Sequence, residues 1–233
     1  MKYMGSKNRH ASELLAIMLK VRREGQAYVE PFVGGFNVID KVVGRRFAND
    51  INPYLISLFS AVVGGWLPPD SVSEETYADI RDNRDRYPPE LIGFVGFGCS
   101  YAGKFFGGYA RGNTSGGSPR NYCAESKRNI LKQAGKLKEV TITCRHYSTL
   151  NFPDRSLIYC DPPYQGTTGY GDSFDHDIFW QWVREQAQQG HSVFVSEYSA
   201  PPDFTPVWRK KVNNTLVENT GAKQGVECLF YAW

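Results

Sequence analysis

The apolar run Leu157-Ile158-Tyr159-Cys160 leads straight into Asp161-Pro162-Pro163-Tyr164. Two consecutive prolines can neither continue a sheet ladder nor begin mid-helix, because each lacks an amide hydrogen and fixes its own φ. The strand must stop at Cys160, and a rigid, extended turn must follow it. Elsewhere short strands alternate with helical segments. Ser6 can cap a helix whose apolar residues Leu14, Leu15, Met18 and Leu19 recur at helical spacing, with Gly25 as its stop. Ala27-Tyr28-Val29 predicts a strand, Pro31 to Asn37 a glycine-bearing loop, and Val38 to Val43 a helical turn or two. Arg46 to Asp50 predicts a second strand, and Pro53 suits the first position of the next helix. A helix is expected near Asp175 to Gln189, then a strand over His191–Ser196. Two more strands, Trp208–Val212 and Val226–Trp233, are expected as an antiparallel hairpin. This rhythm predicts an α/β fold with a parallel sheet covered by helices.

The rhythm breaks between about Gly64 and Thr141, and the charge breaks with it. The chain of 233 residues carries a net +3, yet Tyr101 to Arg145 holds nine Lys/Arg against Glu125 and Glu139. That stretch is +7 in a frame of −4. The region from Gly64 to Thr141 holds an acidic helical stretch near Glu74 to Arg86, then a glycine-rich run, Gly93 to Gly117, then a basic helix near Glu125 to Lys138. Residues 64–141 therefore read as an insertion into the α/β frame, and the polar run Gly103 to Ser118 within it as a surface loop. Lys104, Arg111, Arg120, Lys127, Arg128 and Lys132 are candidates for contacts to a polyanion. A solvated helix face is the other reading of the same charges. Around Lys104 and Arg111 the aromatics Phe105, Phe106 and Tyr109 interleave with the basic residues; they form either a stacking surface or a half-buried cluster.

Other classes are excluded or left without support. No run of about eighteen apolar residues exists to span a membrane. The N-terminus lacks the apolar core of a signal peptide, so a cytoplasmic protein is expected. The five cysteines form no C-x-x-C pair, which leaves no metal or redox-dithiol signature and predicts free thiols.

Three strings can carry chemistry. The glycines of Glu30-Pro31-Phe32-Val33-Gly34-Gly35 allow close backbone approach of a ligand after a strand, although neither phosphate-loop nor dinucleotide spacing is present. Asp50, ending the second strand, can accept hydrogen bonds from ribose hydroxyls or cap the helix that follows. Asp161 and a prolyl carbonyl make two acceptors aimed at one point, and Tyr164 offers a flat face beside them. That combination suits a planar base bearing an exocyclic amine.

In chain order, Tyr3-x-Gly5-x-Lys7, Glu30-Pro31-Phe32-x-Gly34-Gly35, Asp50-x-Asn52-x-x-Leu55 and Asp161-Pro162-Pro163-Tyr164 resemble the DNA adenine methylase (Dam-type) family of amino-methyltransferases, over nearly the whole chain. The D-P-P-Y string is shared with other amino-methyltransferases; the N-terminal lysine motif is more specific. The resemblance implies a Rossmann-like methyltransferase sheet, mostly parallel, with an antiparallel strand near the C-terminus. Residues 1–63 and 142–233 would form the catalytic domain, and 64–141 an inserted, largely helical target-recognition region. The implied cofactor is S-adenosyl-L-methionine and the implied partner double-stranded DNA, in a bacterial or phage-infected cell, with no metal, membrane or obligatory protein partner. By position, Tyr3, Lys7, Glu30, Phe32, Gly34, Asp50 and Asp161 would contact the cofactor, and Asp161, Pro162 and Tyr164 would be catalytic. Ser196-Glu197-Tyr198 and Glu227 also match weaker motifs and are given structural roles. Phe36 departs from the family, many of whose members carry a third glycine there.

The reaction expected is methyl transfer to the 6-amino group of an extruded adenine. Transfer to the cytosine 4-amino group, or an inactive DNA-binding relative, are the alternatives. Carbon-5 cytosine chemistry has no candidate nucleophile, since none of the five cysteines follows a proline.

Overall fold

The structure, a computed structural model, describes residues 1–165, 174–213 and 224–232. Strands β1 (Tyr28–Glu30), β2 (Arg46–Asp50), β3 (Val140–Cys144), β4 (Leu157–Cys160), β5 (Ser192–Glu197), β6 (Pro206–Asn213) and β7 (Gln224–Ala232) form one sheet. Their spatial order is β3-β2-β1-β4-β5-β7-β6. The first five strands pair in parallel, and β7 runs antiparallel to both β5 and β6. The α/β sheet, its parallel body and its antiparallel C-terminal strand are as the sequence predicts; Trp233, included in the last predicted strand, lies outside the described residues.

Burial explains the strand composition. All four residues of β4 are buried, as are all three of β1, because helices cover both faces of the sheet. Tyr28 packs into one apolar cluster and Val29 into the other, the alternation a strand imposes. The first cluster takes Leu14 and Met18 of α1 (Ala11–Met18), Leu55 and Phe59 of α2 (Pro53–Val63) and Ile130 of the later helix α5 (Tyr122–Leu137). The second takes Phe179 and Val183 of α6, which spans His176–Gln188. No helix among the described residues is long and apolar enough to cross a membrane.

Pro53 opens α2 as expected, and Asn52 caps it, accepting from the amides of Tyr54 and Leu55 at 3.1 Å each. Ser6 does not cap α1. It accepts from Asn8 N and closes a short 3₁₀ turn, Lys7–Arg9, that precedes the helix. This turn aims Lys7 inward, where it is buried.

Between α2 and α5 the chain forms α3 (Glu74–Asp82), α4 (Pro89–Gly93) and a π-helical stretch, Phe94–Gly98. Here the glycines are a packing device. A Cβ on Gly93 would lie 2.1 Å from the Tyr54 carbonyl oxygen, so only glycine lets α4 press against α2. Helix α5 packs on α2 and leads directly into β3, completing a crossover within the frame. The edge strand Val140–Cys144 is not among the strands expected, although Val-Thr-Ile-Thr alternates as a strand does.

Candidate active site

The chain leaves β1 toward β2 on one side and leaves β4 toward β5 on the other. β1 and β4 are neighbours, so a crevice opens between their carboxyl ends, where open α/β sheets bind ligands. Glu30, the Pro31–Asn37 loop and Asp161–Tyr164 all follow these two strand ends. Asp50 and Glu197 end β2 and β5. Because β7 is antiparallel, its early residue Glu227 also reaches this end, one register position from the Glu197–Cys228 pair.

Three side chains and a backbone carbonyl converge on one ammonium. Lys7 Nζ lies 2.9 Å from Asp161 Oδ1 and 3.6 Å from Glu227 Oε1. It donates to the Gly5 carbonyl at 3.1 Å and sits 4.6 Å above the Tyr164 ring. The Tyr164 hydroxyl donates to Glu227 Oε1 at 3.3 Å, and its ring meets Tyr198 edge-on at 4.7 Å. Asp161 Oδ1 is buried. Its partner there is the Lys7 ammonium, at salt-bridge distance. Pro162 is buried beside it.

The electrostatics follow from carboxylate crowding. Burial pushes the Asp161 carboxyl up, Lys7 opposes that, and Glu227 adds to it; the net shift is upward. Burial pulls the Lys7 ammonium down, but Asp161 and Glu227 outweigh it and hold it above its ordinary value. Burial raises Glu197 to about 7, although its carboxylate accepts from the amides of Tyr198 (2.7 Å) and Gln165 (3.2 Å). Glu30, only 2% exposed, is pushed well up by burial; it accepts from the Tyr28 hydroxyl at 2.9 Å. It offers a ligand little surface.

The glycine loop forms a cradle fixed from three directions. Gly34 N donates to Asp50 Oδ2 at 3.0 Å, and Asp50 Oδ1 accepts from Asn52 N at 3.0 Å. Asp50 thus ties the loop to β2 rather than capping α2. The Tyr3 ring lies against the glycines. A Cβ on Gly34 would come within 2.9 Å of the ring, and one on Gly35 within 2.7 Å of Tyr3 Cβ. From α5, Gln133 Nε2 donates to the carbonyls of Gly35 and Phe36 at 3.1 Å each. Phe32 is half-buried among Tyr147, Phe174 and Phe179, with ring centroids at 5.2 to 5.9 Å. Phe36 is fully buried at φ +57° against Phe59, so the backbone keeps a glycine-type turn while the ring enters the core.

The basic candidates divide into two groups. Arg111 pairs with Glu74, Arg120 with Glu125 (Nη2 to Oε2, 2.8 Å), and Lys127 with Asp70 at 2.8 Å. Lys104, Arg128 and Lys132 are exposed and enter no ion pair among the described residues. The interleaved aromatics turn inward. Phe105 packs on Phe97 (4.8 Å) and stacks on Tyr54 (5.6 Å), and Phe106 and Tyr109 pack against Tyr77. They form the half-buried cluster rather than a stacking surface.

Gln133 and the Lys7–Glu227 pairing had faint signals in the sequence. Gln133 interrupts the apolar stripe of Ile130, Ala134 and Leu137, and Glu227 interrupts the apolar strand Val226 to Phe230. A polar residue at a core position has a partner somewhere, but the sequence does not say where.

The chain is similar to known proteins. The signature of a family described as D12 class N6 adenine-specific DNA methyltransferase matches residues 3–201. A DNA adenine methylase of Vibrio cholerae serotype O1 is 29% identical over 205 residues, covering 75% of this chain and 73% of that protein. The type II methyltransferase M.FokI of Planomicrobium okeanokoites is 24% identical over 207 residues, covering 79% of this chain and 31% of that protein. Among solved structures, TrmN from Thermus thermophilus is similar at a TM-score of 0.40 and 11% identity, over 96% of this chain and 48% of that one.

Proposed function

Because the chain belongs to the D12 class N6 adenine-specific DNA methyltransferase family, we propose that Asp161, Pro162 and Tyr164 hold the extruded adenine for methylation of its 6-amino group. S-adenosyl-L-methionine is the cofactor this reading requires; when bound, it supplies an activated methyl group on a sulfonium. Gly34, Asp50, Tyr3 and Phe32 would hold it, with Gln133 fixing the loop.

The adenine amine is a poor nucleophile, because its lone pair is delocalised into the ring. Asp161 and the Pro162 carbonyl accept its two hydrogens, which favours a tetrahedral nitrogen and orients the lone pair. Asp161 also stabilises the positive charge that develops on that nitrogen. Tyr164 stacks on the base. An amine inside a duplex is out of reach, so the nucleotide must leave the stack, at a cost of a few kcal/mol that phosphate contacts offset. One observation carries the assignment: the buried acceptor of Asp161, beside an aromatic face, at the sheet's switch point. Incubating unmethylated duplex DNA with methyl-labelled S-adenosyl-L-methionine and digesting it to nucleosides should yield labelled N6-methyladenine. Label in cytosine, or none, refutes the reading.

The protein would meet its DNA in the cytoplasm of a bacterial or phage-infected cell, through the exposed, unpaired Lys104, Arg128 and Lys132. Neutralising all three should weaken DNA binding and flatten the log–log salt slope by roughly 0.9 for each phosphate left unneutralised. An unchanged slope returns them to solvated surface. Residues 64–141 are the target-recognition candidate, and within them α5 also serves the cofactor loop through Gln133.

A further inference from the structure

Glu227 lies outside the four strings that define the site, 63 positions after Tyr164. Its side chain is only 8% exposed, in a strand whose next three residues are buried and apolar. A carboxylate there needs partners, and among the described residues its partners belong to the site: Lys7 Nζ at 3.6 Å and the Tyr164 hydroxyl at 3.3 Å.

Lys7 stands against the two groups the base requires. It is 2.9 Å from the Asp161 oxygen and 4.6 Å above the Tyr164 ring. An incoming adenine must displace it from both. The ammonium is 9% exposed, so release without another anion would leave a buried, unpaired charge. The other carboxylates nearby are engaged. Glu197 accepts from two backbone amides and Glu30 from Tyr28. Lys210, opposite Glu227 in the β6–β7 register, pairs with Glu13.

We propose that Glu227 is a positioning residue for methyl transfer: it receives Lys7 when Asp161 takes the adenine amine, and it anchors the Tyr164 hydroxyl throughout. This rests on the assignment of Asp161 and Tyr164 made above. No bond is made or broken at Glu227; it acts through Lys7 and Tyr164.

Glu227→Gln keeps the volume and an acceptor for Tyr164 but removes the charge. Its kcat for adenine methylation should fall roughly tenfold to a hundredfold, the range for misplaced reacting groups, with the KM for cofactor unchanged. The acid limb of the pH–rate profile should move to lower pH, for two reasons. A charge that raises Asp161 is gone, and Lys7 rests on Asp161 alone. The titratable groups that bear on this limb are Asp161, Lys7, Tyr159, Tyr164, Glu197, Tyr198 and Glu30, and the variant leaves them all in place. A folding defect lowers the rate without moving the limb. Glu227→Asp should restore part of kcat, and Lys7→Met with Glu227→Gln should be no slower than Lys7→Met alone. Wild-type kcat with an unmoved limb, or rate reductions that multiply, overturn the proposal. One measurement needs no activity: the ¹⁵N resonance of the Lys7 ammonium, identified by its disappearance in Lys7→Met, should shift in Glu227→Gln. An unmoved resonance refutes Glu227 as its partner, whereas a wild-type protein that never methylates adenine refutes the earlier assignment instead.

Discussion

Asp161→Ala should lower the methylation rate by about 10³-fold or more, the scale for removing a preorganised group that faces developing charge, and leave DNA affinity within about threefold. The geometry separates the two effects. Asp161 lies at the crevice floor, with its side chain 20% exposed, whereas the basic side chains proposed for phosphate contact are on the surface. The variant should also fold, since Lys7 keeps Glu227 at 3.6 Å as a second anion. Filter binding beside labelled-methyl incorporation checks both halves, and retained activity removes Asp161 from the mechanism. A pH profile adds a sign. Asp161 must be ionised to accept the amine, and burial sets its carboxyl above the ordinary value. Activity should therefore disappear, as pH falls, sooner than an exposed aspartate would allow. Lys7 is the group pulling Asp161 down, so Lys7→Met should move the limb to higher pH, opposite to Glu227→Gln.

The strands that run into the site were legible because their chemistry is local. Prolines at 162 and 163 end β4 wherever it lies, and Pro53 with Asn52 starts α2 from adjacent residues. The α/β rhythm then gives the sheet, and an α/β sheet gives a crevice at its strand ends. Contacts between distant segments were not legible. Nothing near Lys7 announces that a 3₁₀ turn, rather than a capped α-helix, turns it inward to a residue 220 positions away. Gly93, Gly96 and Gly98 are buried where helices press together, and nothing in the composition says so. The aromatic residues near Lys104 failed similarly. Alternation with charge is compatible with an outward stacking surface or with rings packed inward, and only Phe97, Tyr54 and Tyr77 decide it.

Phe36 should show an inverted order of stability between its two small replacements. The ring is fully buried, with its centroid 4.0 Å from that of Phe59. Truncating such a ring to alanine costs about 3–5 kcal/mol through transfer and the cavity left behind. The backbone at φ +57° adds a second effect. A non-glycine residue in the left-handed region carries roughly 1–2 kcal/mol of strain, which alanine keeps and glycine removes. Phe36→Gly should therefore unfold at a higher temperature than Phe36→Ala, by about 2–4 °C per kcal/mol for a chain of this size, with both well below the wild type. In a helix or strand interior glycine would be the less stable of the two, so the order itself reports the turn. Calorimetry of the three proteins decides it: if Phe36→Ala proves the more stable variant, position 36 is not held in a glycine-type conformation. If the inverted order is found, this chain has kept a glycine turn in its cofactor loop while burying a phenyl ring at the same position. The loop's shape then depends on the Phe36–Phe59 packing as well as on Asp50 and Gln133. Phe36→Gly should in that case loosen the loop and raise the KM for cofactor, with kcat at saturating cofactor largely retained.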